Sequence, residues 1–513
     1  NFKSYEKFFL ITFFCFKEVN TSLINIKNLT FGYDGSFDNV FENVNIRLDT
    51  AWRLGVVGRN GRGKTTLLKL LAGEYSFRGN ISASVKFTYF PFAVKDKSRP
   101  TCEVLSGICN DTEEWRILRE LSYLDIDLNL YYRPFACLSN GEQTKILLAA
   151  LFSGDNRFLL IDEPTNHLDA NGRAVVAEYL RGKSGFMLVS HDRDFLDGCV
   201  DHILAINKTD IELQNGNFSS WFENFESRQA AEAAQSERLK KDIARLTEAS
   251  RRTEAWADKA EAAKFGGKNQ SGLRPDRGYA GHKAAKMMKS AKVTAARQKQ
   301  AAEEKSQLLR NTEACERLKL FPLEYRNERL LTAKEVEIIY DGLKICKPVS
   351  FEIMRGDRAA LAGKNGCGKS SFLKLITGEK IGHTGVFTFS SGLIISYIPQ
   401  TTDFLVGRLC DFAKSSGIDE SLFMAILSKT GMDKSHFERD MASFSEGQKK
   451  KVLIAKSLCE SAHLYVWDEP LNYIDLYSRI QIEKLLAEFK PTMIFVEHDK
   501  AFSEAVANKT IEI

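Results

Sequence analysis

Residues 58–65 read GRNGRGKT and residues 363–370 read GKNGCGKS, and each stretch follows a short apolar run. Both match the pattern G-x-x-x-x-G-K-[ST]. In this pattern the glycines let backbone N–H groups and the start of the next helix surround phosphate groups. The lysine reaches the outer phosphates and the hydroxyl binds Mg²⁺. Two copies in one chain predict two strand–loop–helix units that bind nucleotides.

A pair of acids follows each loop at the end of a second apolar run, in the sequences FLLIDEP and LYVWDEP. We expect Asp162 and Asp468 to hold Mg²⁺, and Glu163 and Glu469 to polarise the attacking water. An isolated Asp-Glu pair is usually a solvated surface feature. Its place at the end of an apolar strand, after a phosphate loop, favours the catalytic interpretation.

The two halves of the chain repeat each other at a spacing of 305 to 307 residues. The matched pairs are Tyr33 with Tyr340, Lys64 with Lys369, Ser139 with Ser445, Asp162 with Asp468, and His191 with His498. A constant spacing over separate motifs indicates an internal duplication. We therefore predict an α/β fold with two tandem P-loop ATPase domains, at residues 22–220 and 328–513.

The segment between these domains, residues 221–327, has helical character. Residues 228–264 contain no Gly or Pro and place apolar side chains at helical spacing, which predicts one long helix. Residues 283–318 have the same character. Between them lies FGGKNQSGLRPDRGYAGH, residues 265–282, whose glycines and proline break both helices. We expect a long antiparallel helical hairpin with this stretch as its tip.

Positive charge is concentrated in this linker. From residue 228 to residue 320 there are 22 Lys and Arg against 12 Asp and Glu, a net +10, whereas the whole chain carries +5. Charge runs are usually solvated faces, but a basic tip with an aromatic and an aliphatic side chain fits RNA better. The candidate RNA-contacting residues are Leu273, Arg274, Arg277, Tyr279 and Lys283.

Composition excludes several classes of protein. An apolar content of 43% argues against disorder, and the longest strongly apolar run, FFLITFFCF, is too short to span a membrane. The ten cysteines form no C-x-x-C pair, which favours reduced thiols in a cytoplasmic protein without a structural metal. The leader, residues 1–21, is interpreted either as a translation-start artefact outside the native product or as a short signal peptide.

Two further motifs occur once in each half. LSNGEQ and FSEGQK lie between the phosphate loop and the acid pair, and SHD and EHD follow the acids. With these motifs the chain resembles the ATP-binding cassette (ABC) superfamily, which carries a signature sequence and a switch histidine at these places. The resemblance implies that the two cassettes face each other head to tail. Each ATP would then lie between the phosphate loop of one cassette and the signature of the other.

The resemblance also implies the residues of each site. Site one would bind ATP through Tyr33, Gly58, Asn60, Gly61, Gly63, Lys64, Thr65 and Thr66, closed by Ser445, Gly447 and Gln448. Site two would use Tyr340, Gly363, Asn365, Gly366, Gly368, Lys369, Ser370 and Ser371, closed by Ser139, Gly141 and Gln143. The catalytic residues would be Glu163 and His191 in site one, and Glu469 and His498 in site two. The Mg²⁺ ligands would be Thr65 and Asp162 in site one, and Ser370, Gln400 and Asp468 in site two.

The chain departs from the family pattern at two positions of site one. Phe92 stands where Gln400 supplies the usual glutamine of the second cassette, and Glu446 replaces a signature glycine. Glu446 would bring a carboxylate near the ATP phosphates. We predict that site one hydrolyses ATP more slowly than site two and mainly holds the closed pair. The alternative is that Phe92 simply packs in the core.

Two cassettes joined by a basic helical linker, without a membrane domain, resemble the ABC-F proteins. The sequences IDEPTNHLD, WDEPLNYID and AKMMKS are similar to the antibiotic-resistance Lsa/Vga group. This resemblance implies a cytoplasmic monomer with intramolecular cassette pairing that binds the bacterial ribosome at the tRNA exit site. Its linker would reach 50S rRNA near the peptidyl-transferase centre, and tRNA, and would protect against lincosamides, pleuromutilins and streptogramin A. The alternatives are a housekeeping ABC-F translation factor and the ATPase subunit of a drug exporter.

Overall fold

The structure of the chain is a computed structural model. It describes residues 22–33, 39–109, 112–154, 156–166, 168–207, 210–262, 318–340, 343–364 and 366–513, with six isolated positions between 286 and 300. The leader, Asn365 and the tip with Leu273, Arg274, Arg277, Tyr279 and Lys283 lie outside the described residues. The chain divides into two compact units, Asn1–Trp221 with Arg317–Ile513, and Phe222–Glu316.

The first cassette alternates strands and helices along the chain. Its strands are β1 (Leu23–Phe31), β2 (Phe41–Asp49), β3 (Arg53–Val57), β4 (Arg78–Ser82), β5 (Lys86–Phe90), β6 (Arg157–Asp162), β7 (Phe186–Val189), β8 (His202–Ile206) and β9 (Ile211–Asn215). Its helices are α1 (Lys64–Ala72), α2 (Thr101–Ile108), α3 (Glu114–Tyr123), α4 (Asn140–Phe152), α5 (Ala170–Arg181) and α6 (Arg193–Cys199). Short 3₁₀ turns span Leu128–Tyr132 and Phe135–Cys137.

The strands of the first cassette form two sheets. The larger has the order β5-β6-β7-β3-β8-β9, parallel except for the antiparallel β9. Strands β3, β6 and β7 are short apolar runs, as expected for parallel strands covered on both faces. The smaller sheet, β2-β1-β4, is antiparallel.

The second cassette, like the first, alternates strands and helices along the chain. Its strands are β10 (Arg329–Tyr340), β11 (Leu343–Lys344), β12 (Val349–Met354), β13 (Arg358–Ala362), β14 (Gly382–Phe389), β15 (Ile395–Ile398), β16 (Leu464–Asp468), β17 (Met493–Val496) and β18 (Lys509–Glu512). Its helices, numbered after the linker helix α7, are α8 (Lys369–Ile376), α9 (Leu409–Ser415), α10 (Glu420–Lys429), α11 (Glu446–Cys459), α12 (Leu476–Phe489) and α13 (Lys500–Val506). Short 3₁₀ turns span Lys434–His436 and Met441–Ser443.

The larger sheet of the second cassette repeats the strand order of the first. The order β15-β16-β17-β13-β18 matches β5-β6-β7-β3-β8 strand for strand, and all of its pairings are parallel. The second cassette also has an antiparallel sheet, which contains the four strands β10, β11, β12 and β14 where that of the first cassette contains three. The predicted fold of two tandem α/β P-loop domains is confirmed.

A long helix begins at the end of the first cassette. Helix α7 spans Phe218–Ala262, 45 residues, so it starts ten residues before the predicted helix at residue 228. Phe218 and Trp221 in its first turn are fully buried, and the ring of Trp221 meets that of Tyr477 of the second cassette edge to face at 6.3 Å. Of the second predicted helix, at 283–318, the structure describes six isolated positions, each of which is helical, and Leu318, which is not in a helix. Among the described residues, no helix is both long and apolar enough to cross a membrane.

Candidate nucleotide-binding sites

Each parallel sheet brings its functional loops together at one edge. Strand β3 ends at Val57 directly before the first phosphate loop, β6 ends at Asp162, and β7 ends at Val189 two residues before His191. These three strands are neighbours in the sheet. Because parallel neighbours end at the same edge, the loop, the acids and the histidine meet there, where ligands of open α/β sheets bind. Strands β13, β16 and β17 repeat this arrangement in the second cassette.

The lysine of each phosphate loop is held inside its own loop. The Lys64 ammonium donates to the carbonyl oxygens of Gly58 at 2.7 Å and Arg59 at 3.3 Å. Lys369 donates to the carbonyl of Gly363 at 2.8 Å. Both lysines are buried. Phosphate oxygens are stronger, charged acceptors, so each lysine is placed to exchange carbonyl partners for a bound phosphate.

Glycine is required just before each loop lysine. Gly63 has φ of +90° and Gly368 has φ of +98°, a conformation that side chains with a Cβ rarely adopt. A Cβ on Gly63 would lie 2.6 Å from Cγ1 of Val40, whereas one on Gly368 would meet nothing closer than 3.7 Å. At this glycine, the first loop is therefore more tightly packed than the second.

The two glutamates predicted to be catalytic share an unusual backbone conformation. Glu163 has φ of 48° and Glu469 has φ of 46°. Each amide donates to the strand alongside, to the carbonyl of Val189 at 2.9 Å and to that of Val496 at 3.0 Å. Left-handed conformations at non-glycine residues cost free energy and cluster at functional sites. Their presence in register in both cassettes supports a special role for both side chains.

The surroundings of Glu469 favour its charged form. The amide of Asn472 donates to its carboxylate at 2.7 Å, and Nε2 of His498 lies 3.5 Å away. Burial raises the pKa of Glu469, but hydrogen bonds from His498 and Gln400 outweigh this effect and lower it to about 2. Site two thus holds an ionised carboxylate suited to orient water.

Site one surrounds its glutamate differently. Nε2 of His191 lies 3.3 Å from Oε1 of Glu163, but that oxygen is buried without a hydrogen-bond partner. Burial, together with the neighbouring charge of Asp162, raises the pKa of Glu163 to about 8. Burial also lowers the pKa of His191, which favours a neutral imidazole. The two sites therefore differ in electrostatics as well as in sequence.

Phe92 lies beside the chain's core rather than in the nucleotide cavity. It is half-buried, its ring meets Phe90 edge to face at 6.3 Å, and it does not line the cavity of site one described below. Gln400, its counterpart, does line the cavity of site two. The Tyr89 hydroxyl, which the sequence analysis did not single out, donates to Asp162 at 3.0 Å. A tyrosine thus contacts the first metal-ligand candidate.

Each cavity is built from both cassettes. The cavity of site one, about 450 Å³, is lined by Tyr33, Asn60, Gly61, Gly63, Lys64, Thr65, Thr66, Asp162, Glu163 and His191, and by Ser445, Glu446 and Gly447 of the other cassette. The cavity of site two, about 1050 Å³, is lined by Gly366, Gly368, Lys369, Ser370, Ser371, Gln400, Glu469 and His498, and by Ser139 and Gly141. The cassettes therefore face each other head to tail, as predicted.

The signature serines begin the helices that point at these cavities. Ser139 caps α4, accepting from the amide of Glu142 at 3.3 Å while Glu142 accepts from the amide of Ser139 at 2.8 Å. Ser445 and Gln448 form the same reciprocal pair on α11. Such capping boxes leave the positive end of the helix dipole facing the cavity, where phosphates are favoured.

Some predicted nucleotide-binding residues do not line either cavity. They are Gly58, Gly363, Tyr340, Gln143 and Gln448. The two glycines act through their carbonyl groups on the loop lysines. Gln143 donates its amide to the carbonyls of Phe135 and Leu138, and Gln448 takes part in the capping box. These two glutamines shape the signature turn in the structure, and their contact with nucleotide stays a prediction.

One contact between the cassettes was missed by sequence reasoning. The amide of Asn60 donates to the backbone carbonyl of Tyr473 at 2.8 Å, and Tyr473 lines both cavities. A Cβ on Gly447 would lie 2.5 Å from the same carbonyl, so the signature needs glycine there. Tyr473 lies within the sequence WDEPLNYID, but that sequence does not reveal a contact that depends on the other cassette.

The protein-family model for ABC transporters matches residues 41–166 and 346–472, the two segments that contain these loops. The chain belongs to the ATP-binding cassette family. With its two composite sites this ABC protein is an ATPase.

Relatives align with the ABC protein over nearly its whole length. ATP-binding protein Uup of Caulobacter vibrioides is 29% identical over 493 residues, 92% of this chain and 74% of that protein. Ribosome protection protein VmlR of Bacillus subtilis is 24% identical over 504 residues, 96% of this chain and 86% of that protein. ABC transporter F family member 2 of Arabidopsis thaliana is 24% identical over 563 residues, 96% of this chain and 76% of that protein. These relatives identify the chain as an ABC-F type protein.

Solved structures show the same fold. The archaeal ribosome recycling factor aABCE1, in a complex with the stalk protein aP1, aligns with a TM-score of 0.62 at 18% identity, covering 94% of this chain and 87% of that one. The RNase-L inhibitor aligns with a TM-score of 0.59 at 19% identity, covering 95% and 87%. The tandem arrangement of cassettes thus occurs in solved structures of other proteins.

Proposed function

We propose that this ABC-F protein binds the bacterial ribosome in an ATP-dependent manner and protects it from drugs that act at the peptidyl-transferase centre. The observation that carries the proposal is the match to the ribosome protection protein VmlR over 96% of this chain, linker included. The linker's net charge of +10 supports it, because counterion release from RNA favours a concentrated basic segment. The drugs would be lincosamides, pleuromutilins and streptogramin A compounds, and the protein would act in the cytoplasm.

ATP would drive this function by closing the cassettes. Lys64 and Lys369 would bind the outer phosphates, and the opposite signature helices would complete each site. A conformational change is useful only if the closed state binds the ribosome better than the open state does. Hydrolysis, with Glu163 and Glu469 orienting water, would then release the protein from the ribosome.

Two buried oxygens fit a divalent cation. Among the described residues, Oδ1 of Asp162 and Oδ2 of Asp468 are buried and have no hydrogen-bond partner. The hydroxyl of Ser370 donates to the other oxygen of Asp468 at 3.2 Å, so two of the three predicted ligands of site two are together. Mg²⁺ prefers such hard oxygen donors together with phosphate oxygens. Bound there, it would neutralise charge on the phosphates during transfer.

A second candidate function is a housekeeping translation factor of the same type. The chain is 29% identical to Uup and 24% identical to VmlR, so sequence similarity supports this candidate at least as well as the first. Both candidates share ribosome binding and differ only in the response to drugs. A drug exporter's ATPase subunit agrees less well, because its cassettes would need a surface for a membrane protein rather than a basic linker.

The first test is ribosome co-sedimentation of a Glu163→Gln, Glu469→Gln double variant with ATP, compared with ADP and no nucleotide. ATP-dependent sedimentation is expected, since the variant would close without hydrolysis, and its absence would refute ribosome binding.

The second test is growth of a susceptible Gram-positive host expressing residues 22–513 with lincomycin, tiamulin or virginiamycin M. Protection that the double variant lacks would support resistance. Sedimentation without protection would favour the housekeeping factor.

A further inference from the structure

A buried lysine of the second cassette joins three parts of site two. Lys450 lies one turn into the signature helix α11 and is 2% exposed. Its ammonium donates to the backbone carbonyl of Pro399 at 3.1 Å, of Asp468 at 3.4 Å and of Glu469 at 3.1 Å. An ammonium has three N–H donors, and here three carbonyl groups take them.

These carbonyls belong to the two segments that carry the chemistry. Pro399 directly precedes Gln400, and Glu469 carries the carboxylate. Pro399 and Glu469 each come directly after the last residue of a strand, β15 and β16, and Glu469 has the strained φ of 46°. A buried cation bonded to both fixes their separation, because any relative movement breaks a bond to a charged group, which costs more than one between neutral groups.

The first cassette has no such link. The residue at the matching place is Thr144, whose hydroxyl donates to the carbonyl of Asn140 in its own helix at 2.9 Å. Its counterpart loop carries Phe92 in place of Gln400. The lysine and the glutamine thus occur in the same cassette, and the matching positions of the other cassette have neither.

A second bond connects helix α11 to the loop that follows Gln400. The hydroxyl of Thr402 donates to Glu446 at 2.5 Å, and Lys449 donates to the other carboxylate oxygen at 3.2 Å. Glu446 was expected to bring its carboxylate to the phosphates of site one. In the structure this residue does line that cavity, but one of its oxygens accepts from Thr402 in the loop that follows Gln400, and the other accepts from Lys449 on its own helix. The departure from glycine in the signature therefore strengthens the connection that Lys450 makes.

We propose that Lys450 is a positioning residue for hydrolysis at site two, which holds Gln400 and Glu469 in working register through their backbone. The N-terminus of the same helix closes site one with Ser445 and Gly447. The proposal depends on the ATPase activity and not on ribosome binding.

The test uses the full chain with one site silenced at a time. In a Glu163→Gln background, where site two remains, Lys450→Met is expected to lower kcat at least tenfold and to change KM for ATP less than threefold. Misplacement by about 1 Å is enough for losses of up to about a hundredfold. Lys450→Arg is expected to recover part of the lost kcat, since it restores donors. Thr144→Val, the matched change in the first cassette, is expected to leave kcat within twofold.

The reverse background separates positioning from distortion. In Glu469→Gln, where site one remains, Lys450→Met is expected to leave single-turnover hydrolysis within twofold. An equal loss in both backgrounds would mean that helix α11 is generally distorted, and the proposal would be wrong. An unchanged kcat at site two would refute it directly. If Met, Arg and Gln variants at this position all fail to fold, Lys450 is a folding residue, which also overturns the proposal.

Discussion

The clearest consequence of the unequal sites concerns single glutamate variants. At site two the carboxylate of Glu469 accepts a bond from Asn472 at 2.7 Å and faces His498. At site one His191 also faces the glutamate, but Oε1 of Glu163 is buried without a hydrogen-bond partner among the described residues. A hydrogen bond to a charged group contributes about 1.5–3 kcal/mol. At about 1.4 kcal/mol per factor of ten, one such bond predicts turnover at least about tenfold faster at site two.

This ratio sets the expected loss for each variant. With a ratio of about ten to one, Glu469→Gln should remove about 90% of steady-state ATPase activity, and Glu163→Gln about 10%. The assay is phosphate release at saturating ATP, with filter binding of ATP to confirm that both variants still load nucleotide. Equal losses in the two variants would refute the reasoning, as would a larger loss in Glu163→Gln. The double variant provides the background rate.

Three further predictions concern packing, charge and the cassette interface. Gly63→Ala should lower the Tm more than Gly368→Ala. An alanine at either position would be strained at positive φ, but only the Cβ at residue 63 would meet a side-chain atom at 2.6 Å, so the two variants should differ in stability by about 1–3 kcal/mol. Differential scanning fluorimetry would show this difference, and equal shifts in Tm would contradict it. Glu120→Gln should cost about 3 kcal/mol at pH 7, since burial raises the pKa of that carboxyl but its lysine, tyrosine and arginine donors lower it overall. A lowered folded pKa stabilises above the unfolded value, so the difference in Tm should shrink as the pH falls below about 4.5, and a difference independent of pH would be evidence against it. Asn60→Ala should raise the KM for ATP severalfold, because it removes the hydrogen bond to the carbonyl of Tyr473. Steady-state kinetics would give KM and kcat together. An unchanged KM would show that the contact contributes nothing to closure.

The duplication made most of the fold predictable. Paired motifs at a spacing of 305 to 307 residues specify two equivalent domains, and the matching strand orders of the sheets agree with this. The motifs also placed Lys64, Asp162 and His191 together, because each follows a strand of one parallel sheet. Patterns of this kind are local in sequence, and the sheet converts them into proximity.

What the sequence did not reveal depends on contacts made across the chain. Nothing in the sequence around Lys450 distinguishes it from its neighbour Lys451, yet one holds site two and the other pairs with Asp475 at 2.7 Å. Glu446 was assigned to the phosphates from its place in the signature, but Thr402 accounts for its carboxylate. In each case the partner named lies at least eighteen residues away, so only the folded chain identifies it.

The lining of the two cavities constrains how a duplicated pair can diverge. Tyr473 and Glu446 line both cavities, so any substitution there alters both sites at once and cannot specialise one of them. Gln400 and Lys450 line only the cavity of site two. After a gene duplication, drift at positions of this second kind changes one active site while sparing the other. The counterparts of Gln400 and Lys450 in the first cassette, Phe92 and Thr144, line neither cavity, so the two halves of the duplication differ at these positions, and this difference is one reason why we expect unequal rates of hydrolysis.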